Sequence, residues 1–200
     1  MESWQIKDYT LEYDDDTHTY IVDGVIVPSV TQILGVKFGN KYDHVNRSVL
    51  DIAAARGTKI HKAIEEYCTH GKDTGLKEVR NFRFLKAYYG LDILENEVPI
   101  IIFKDDTPIA AGRLDMVFNK HVGASGKCIA DIKTTSVLDK EYLTYQLNLY
   151  RMGYMQSYGG DISDLYGIHL REDKRKLVKI DINEDLARFI LNEYERGTHE

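Results

Sequence analysis

The sequence contains few cysteines and no long apolar run, and its first residues carry no sorting signal. Cys68 and Cys128 cannot form a disulfide framework, nor supply four thiolates to a structural zinc site or an iron–sulfur cluster. The longest apolar run, residues 98–103, is far too short to cross a membrane. Residues 1–5 lack the basic start and the apolar stretch of a targeting signal. These absences predict a cytoplasmic protein that has no iron–sulfur cluster and does not contact membranes.

The chain also lacks an excess of positive charge. Its net charge is −6, which excludes a protein that binds nucleic acid through bulk charge alone. Its 200 residues, of which 43% are hydrophobic and 29% charged, are typical of one soluble domain with a sizeable core. We therefore expect a single domain over residues 1–200. Any contact with nucleic acid should be local, with a metal ion offsetting the acidic groups of a site.

Local patterns predict a mixed α/β fold with a small N-terminal addition. Residues 10–27 read as strand, turn and strand, and Asp23-Gly24 is a strong tight-turn signal. Ser29 and Gln32 form the capping-box pattern of a short helix over residues 30–34. Residues 1–45 are thus predicted to be a hairpin and short helix that decorate a core over residues 46–200. The core pattern predicts helices near 46–67, 76–89, 140–158 and 183–196, strands near 97–104, 109–118 and 127–134, and a hairpin over 165–182.

The stretch 112–133 reads as two β-strands that each carry one acidic residue in an apolar setting. Asp115 lies on the first strand and Asp131 on the second, with Gly123 and Gly126 in the turn between them. A buried carboxylate is costly unless a partner or a metal compensates its charge. These two aspartates are therefore candidate metal ligands.

Asp131 and Lys133 are two residues apart, so on a strand their side chains share one face while Ile132 points into a core. If the two strands pair, Asp115 lies beside Asp131, and two carboxylates and an ammonium surround one point. Such a point suits Mg²⁺, a hard cation that takes oxygen ligands and keeps part of its water shell. The alternative is a solvent-exposed ion pair between Asp131 and Lys133, because Asp-x-Lys is common by chance.

Two helical patterns accompany this stretch. His61 lies at the edge of an apolar helical face, where a packed and hydrogen-bonded histidine is the alternative to a metal ligand. Gln146, Tyr150 and Tyr154 recur every four residues along one stripe of the 140–158 helix. A half-buried amphipathic surface is the alternative to a functional role for that stripe.

The ordered set of these motifs resembles the PD-(D/E)xK nuclease superfamily, in particular its RecB-type and phage-exonuclease branch. That branch is marked by a Gly-x-x-x-His helix, a Gly-x-x-Asp strand, an Asp/Glu-x-Lys strand and a Gln-x-x-x-Tyr helix. The corresponding segments here are 57–61, 112–115, 131–133 and 146–150. The opening segment 18–34 is also similar to the start of phage members. Each motif alone is weak, but all four occur in order.

The resemblance implies a restriction-endonuclease-like core, in which helices flank a mixed central sheet with a three-stranded antiparallel meander. It also implies hydrolysis of phosphodiester bonds with Mg²⁺ or Mn²⁺. By the same resemblance, the metal ligands are His61, Asp115, Asp131 and the carbonyl of Ile132. Some members of this branch hold an iron–sulfur cluster with four cysteines, which this chain does not have.

The resemblance assigns roles to the remaining motif residues. Lys133 orients or activates the attacking water and stabilises negative charge on the phosphate. Glu97 is an acidic support, and Gln146 and Tyr150 position the lysine or the substrate phosphate. Independently of the resemblance, the stripe of Gln146, Tyr150 and Tyr154 is expected to contact the substrate, with one of its tyrosines stacking on an unpaired base.

A basic turn near the C-terminus is a second candidate surface. Arg171, Lys174 and Arg175 could contact phosphates that flank the site. The alternative is a solvated hairpin tip, because Glu172 and Asp173 lie within the same turn.

The expected function is that of a metal-dependent deoxyribonuclease that acts from free DNA ends, as phage exonucleases do. Its expected partners are DNA, single-stranded or at duplex ends, and a recombinase or annealing protein. Two alternatives stay open: a structure-specific or restriction-like endonuclease of the same fold, and a non-catalytic DNA-binding or assembly module. The retained Asp115, Asp131 and Lys133 argue against the module. The oligomeric state does not follow from the sequence.

Overall fold

The computed structural model describes residues 1–121 and 126–198, so the predicted turn glycine Gly123 lies outside the described residues. The described part contains two β-sheets and five α-helices in a mixed α/β arrangement. None of its helices combines the length and the apolar character needed to traverse a lipid bilayer.

The N-terminal sheet has four antiparallel strands rather than the predicted hairpin alone. Asp23 and Gly24 both adopt positive φ between the last two strands, as the tight-turn signal predicted. The first strand was not predicted, because it lies at the sheet edge and most of its side chains are exposed, which leaves little periodic signal. The strands are β1 (Glu2–Ile6), β2 (Tyr9–Asp14), β3 (Thr19–Val22) and β4 (Val25–Val27).

This small sheet packs against the main sheet. Its buried side chains form one apolar cluster with Ile101 and Ala111, which belong to the main sheet. The backbone N–H of Ala111 also donates to the carbonyl of Pro28, with 3.0 Å between nitrogen and oxygen. The N-terminal segment therefore shares a core with the rest of the chain.

The main sheet has five strands in sequence order, with three neighbouring pairs antiparallel and one parallel. The first three strands form the predicted antiparallel meander, and the first two of them are longer than predicted. Pro99 lies on the edge strand, as expected for a residue without an N–H. The third and fourth strands pair in parallel, so the sheet is mixed, as the resemblance implied. The strands are β5 (Leu91–Lys104), β6 (Thr107–Lys120), β7 (Lys127–Lys133), β8 (Asp164–Leu170) and β9 (Arg175–Ile180).

Helices cover both faces of this sheet, and their bounds are α1 (Val30–Phe38), α2 (Arg47–His70), α3 (Lys77–Tyr89), α4 (Lys140–Tyr158) and α5 (Glu184–Thr198). One apolar cluster joins α1, α4 and α5 to the sheet, and a second joins α2 and α3 to it. The predicted capping box of Ser29 and Gln32 is present at α1, and Gly90 ends α3 in the left-handed conformation.

The second helix is longer than its predicted span of residues 46–67. It runs unbroken through Gly57 and ends at His70. Asn46 caps it by accepting a hydrogen bond from the backbone N–H of Ser48. Most residues in its first half, 47–59, are exposed, whereas its second half packs on the sheet. The helix therefore extends beyond the sheet, and this exposed half borders the cleft described below.

Candidate metal centre

The two central strands part at the predicted site. Pairing between β6 and β7 extends to Met116 and Ala130, while β7 continues to Lys133 along β8. In the gap, Asp115 Oδ2 accepts a hydrogen bond from the backbone N–H of Ile132 over 2.5 Å. The carboxylate thus takes the place that a strand carbonyl would occupy. The Ile132 side chain packs in the core on the α2 side, as the alternation along β7 predicted.

Glu97 lies opposite Asp115 on the neighbouring strand β5. The flanking pairs Asn96–Met116 and Val98–Leu114 place these two acidic residues in register. Glu97 has a φ of 50°, a left-handed conformation that is rare for a residue other than glycine inside a strand. Such strain persists only where surrounding contacts impose it, and it concentrates at functional sites.

His61, Glu97 and Asp115 form a compact cluster. One nitrogen of His61 and one carboxylate oxygen from each acid lie within 4.8 Å of one another. The closest approach is from His61 Nδ1 to Asp115 Oδ1, at 3.4 Å. Glu97 Oε2 lies 3.0 Å from Nε of Arg113, a residue that the sequence analysis did not single out. The signal that could have identified Arg113 is a cation two residues before the motif aspartate, on the same face of an apolar strand.

Asp131 and Lys133 lie beside this cluster on the α4 side of the sheet. The ammonium of Lys133 is 2.7 Å from Asp131 Oδ2. Among the described residues, this buried oxygen accepts no hydrogen bond of regular geometry, although the ion pair is close. Asp131 is buried and the Lys133 side chain is 23% exposed, so the pair is not the fully solvated surface ion pair of the alternative.

The acidic groups carry opposing pKa shifts. Burial raises the pKa of Glu97 to about 7, and Asp115 adds to this against the charge of Arg113. Burial also raises the pKa of Asp131 to about 6, although Lys133 lies next to it. For Asp115 burial has the same tendency, but the charge and hydrogen bond of His61 outweigh it and lower its pKa. Burial is therefore the largest cause of the two raised pKa values, and His61 is what holds Asp115 in its charged form.

The neighbouring carboxylates raise the pKa values of the two basic groups. Burial alone lowers the pKa of His61, but the nearby Asp115, followed by Asp131 and Glu97, raises it to about 9. Burial likewise lowers the pKa of Lys133, and Asp131 and Asp115 together raise it above its ordinary value. In the absence of a metal, both groups are cationic at neutral pH.

Two residues of the predicted Gln/Tyr stripe on α4, Gln146 and Tyr150, support Lys133 from the protein interior. Lys133 Nζ donates to Gln146 Oε1 over 2.8 Å, and Gln146 is buried. Tyr150 is also buried and hydrogen-bonds to Gln146. A Cβ at Gly112 would lie 3.0 Å from the Tyr150 ring, so the glycine allows this close approach to β6. Because both side chains are enclosed, they can position Lys133 but do not line the surface of the cleft.

Tyr154, the third member of the stripe, points away from the site. It is buried, its hydroxyl donates to Glu95 over 3.1 Å, and Lys127 donates to that hydroxyl over 3.3 Å. Neither Tyr154 nor the buried Tyr150 lines the cleft, so the structure brings no tyrosine of the stripe to that surface. The three residues do share one stripe of α4, as their four-residue spacing predicted. Tyr154, however, lies about two helical turns beyond Gln146, so it is too far along the helix to reach the site.

The three basic side chains of the predicted turn do not all lie at the cleft. Arg171 lines the cleft next to the site and donates to the carbonyl of Thr134. Lys174 instead donates to the carbonyl of Ser136 over 2.8 Å, and Arg175 stacks over Phe84 at 3.8 Å on α3. Only the first of the three predicted phosphate contacts therefore lies at the cleft.

A cleft of about 860 Å³ leads to His61 and Lys133. One wall comes from α2 and the other from the segment 134–140 that joins β7 to α4. Its cationic lining residues are Lys41, Arg56, Lys133, Lys140 and Arg171, and its acidic lining residue is Asp139. The cationic lining residues thus outnumber the acidic one, although Lys41 pairs with Asp139 and Arg56 pairs with the buried carboxylate of Glu78.

The donor set fits a divalent cation. Ligand atoms around one cation lie within about twice a metal–ligand distance of ~2.0–2.6 Å, which matches the spacing of the cluster. Glu97 and Asp131, the two carboxylates with raised pKa values, would both gain from a nearby positive charge. The imidazole of His61 is a ligand that Mn²⁺ accepts more readily than Mg²⁺.

Comparison with known proteins gives a likeness in fold. No family model and no curated protein matches this sequence. The crystal structure of SSO0001 is similar, with a TM-score of 0.50 and 17% sequence identity over 86% of this chain and 75% of that chain. At this identity the likeness concerns the fold alone. It agrees with a mixed α/β architecture.

Proposed function

We propose that this protein is a divalent-metal-dependent nuclease that hydrolyses phosphodiester bonds in DNA. The observation that carries the proposal is the convergence of five groups where β6 and β7 part: His61, Glu97, Asp115, Asp131 and Lys133. Their order along the chain matches the PD-(D/E)xK pattern. A mixed sheet flanked by helices is compatible with the restriction-endonuclease-like core of that superfamily.

The residues would hold Mg²⁺ or Mn²⁺ through His61, Glu97 and Asp115, with Asp131 next to them. When bound, the cation would polarise the scissile phosphate and favour deprotonation of the attacking water. Glu97, expected as an acidic support, would join His61 and Asp115 as a direct ligand, and the Ile132 carbonyl stays a predicted ligand. Lys133 remains the group that orients the water and offsets negative charge on the phosphate.

The side chains around Lys133 fix its position. Asp131 holds the ammonium from one side, and Gln146 accepts a hydrogen bond from it on another. Tyr150 buttresses Gln146 through a hydrogen bond. Pre-organised groups of this kind stabilise a transition state because they do not have to reorient during the reaction.

End-dependent cleavage is the form of the activity that the cleft supports best. Its volume of about 860 Å³ is in the range of small-ligand pockets, roughly 300–1,000 Å³, so it holds a few nucleotides rather than a duplex. A free strand end can enter between α2 and the segment 134–140. The cations Lys41, Arg56, Lys140 and Arg171 would then contact its phosphates.

One gel experiment tests the activity and its end dependence. Matched linear and covalently closed DNA are incubated with the protein and Mn²⁺, Mg²⁺ or EDTA, and both forms are followed with time. We expect the linear DNA to be degraded with either metal, little loss of the closed circles, and no reaction in EDTA. Circles cut as fast as the linear form would favour the endonuclease alternative and leave the nuclease proposal standing.

Two variants make the experiment specific to the site. Asp131→Asn should reduce cleavage by orders of magnitude, whereas Asp92→Asn, which removes an exposed carboxylate of β5, should behave like the parent. If Asp131→Asn stayed within about threefold of the parent, an effect well below 1 kcal/mol, the site assignment would be wrong. DNA binding without cleavage in either metal would favour the non-catalytic module.

A further inference from the structure

A second pocket adjoins Lys133 on the side away from α2. Its volume is about 320 Å³. One side of the pocket is formed by α1 and the turn that follows it, through residues that include Gly35 and Phe38. The other side is formed by the end of β7 and the start of α4, through residues that include Lys133 and Tyr142. Lys41, Lys133, Thr135 and Asp139 also line the basic cleft, so the two cavities meet at these residues.

The walls of this pocket are aromatic. Phe38 and Tyr142 are both half-buried, and their ring centroids lie 5.2 Å apart with an interplanar angle of 66°. The ammonium of Lys133 lies 5.7 Å from the centroid of the Tyr142 ring. Flat apolar walls therefore stand directly beside the group that we place at the scissile phosphate.

We propose that this pocket receives one unpaired nucleobase, that of the nucleotide next to the scissile phosphate, with one ring of the Phe38–Tyr142 pair stacking on its face and the other contacting its edge. The proposal rests on the proposed nuclease function for the position of that phosphate. Every base has a π-face, so aromatic walls bind bases with little regard to sequence. The occupant is an unpaired nucleotide of a DNA strand.

The position of Lys133 selects this occupant. The pocket and the cleft share Lys133 as a lining residue, so a base in the pocket and a phosphate beside the ammonium can belong to one nucleotide. Lys41 also lines both cavities, where it pairs with Asp139, so a neighbouring phosphate would compete with that carboxylate. A paired base would have to leave its duplex before it could enter, which fits a requirement for strand ends, since terminal pairs open most readily.

Gly35 offers a way to fill the pocket without disturbing the core. A Cβ built at this position meets no heavy atom within 4 Å, and the glycine lies in the interior of α1. Gly35→Leu should therefore occupy the pocket, and it also improves the helix propensity of α1. Gly197→Leu is the matched control, because Gly197 lies on α5 with equally open surroundings.

The test measures binding, so that it does not depend on hydrolysis. Short single-stranded oligonucleotides carry 2-aminopurine at the 5′ or the 3′ end, and binding is followed by fluorescence in Ca²⁺. We expect the parent protein to quench one of the two probes. Gly35→Leu and Tyr142→Leu should bind that probe about tenfold more weakly, the scale of one base–aromatic contact. Gly197→Leu should bind it like the parent.

An abasic probe then isolates the base. An unlabelled competitor that lacks the terminal base should bind the parent more weakly by about the same factor, and Gly35→Leu should weaken its binding no further, because pocket and base act on one interaction. Equal losses for both probes in Gly35→Leu, or no loss in either, would overturn the proposal. The outcomes are separable: base-dependent binding without cleavage refutes the nuclease, whereas cleavage without base-dependent binding refutes only the pocket.

Discussion

The carboxylate of Asp115 accepts a hydrogen bond from the backbone N–H of Ile132, with 2.5 Å between Oδ2 and N. This bond closes the gap at which β7 leaves β6. The other oxygen of the same carboxylate lies 3.4 Å from His61. One side chain thus completes the strand pairing with one oxygen and contributes to the candidate metal site with the other.

This double role predicts that two substitutions of Asp115 will differ in their effect on the unfolding free energy. Asp115→Ala leaves the buried N–H of Ile132 without its acceptor, which should cost about 1–3 kcal/mol of unfolding free energy. Asp115→Asn keeps an acceptor oxygen and should lie closer to the parent. Both should lose Mn²⁺ affinity. Urea unfolding in EDTA and calorimetric titration with Mn²⁺ measure the two effects. An Asn variant as unstable as the Ala variant would show that charge, rather than the hydrogen bond, holds β6 and β7 together.

The raised pKa values predict how the metal-free protein responds to pH. The pKa rises from 4.5 to about 7 for Glu97, from 3.8 to about 6 for Asp131, and from 6.5 to about 9 for His61. Each group binds its proton more tightly in the folded chain than in the unfolded chain. Each therefore stabilises the fold below its ordinary pKa and loses that contribution as pH rises through the raised one.

Urea unfolding in EDTA should accordingly show a fall in unfolding free energy between about pH 4 and pH 9. Glu97→Gln should flatten the part of this fall between about pH 4.5 and pH 7. Saturating Mn²⁺ should reduce it throughout, because bound metal favours the deprotonated groups. An unfolding free energy that rises over the same pH range in EDTA would contradict the raised pKa values of these three groups.

The imidazole in the cluster predicts a preference for Mn²⁺. Mg²⁺ favours all-oxygen coordination, whereas Mn²⁺ accepts nitrogen more readily, so cleavage should be faster in Mn²⁺. His61→Ala should lower activity in both metals and narrow the ratio between them. His44→Ala, which removes an exposed histidine ahead of α2, should leave the ratio unchanged. Parallel rate measurements in the two metals decide the matter, and an unaltered ratio in His61→Ala would remove this residue from the ligand set.

The contact between Lys133 and Gln146 predicts a positioning effect. Gln146→Leu removes the acceptor that lies 2.8 Å from the ammonium and should lower kcat on the order of 10- to 100-fold, since small misplacements of a reacting group cost this much. KM should change little, because Gln146 is buried beneath the cleft. Gln146→Glu keeps an acceptor and should retain more activity. A rise in KM with kcat preserved would instead indicate a direct substrate contact.

Several features followed from the sequence because they depend on neighbouring residues alone. The two-residue strand period placed Asp131 and Lys133 on one face and Ile132 in the core. Turn and capping chemistry located the Asp23-Gly24 turn and the start of α1. The apolar pattern located the meander that carries the candidate site. These are local properties of the chain, and the fold preserved them.

The tertiary structure decided which distant groups meet. Glu97 reaches His61 because strand register and a left-handed φ bring it opposite Asp115, and neither is encoded in a short motif. Tyr154 turns to Glu95 instead of the cleft, although it shares the period of Gln146. The cleft draws its cations from four separate segments of an acidic chain. Spacing along a sequence determines which side chains share a face, whereas strand pairing and helix packing determine which faces come together.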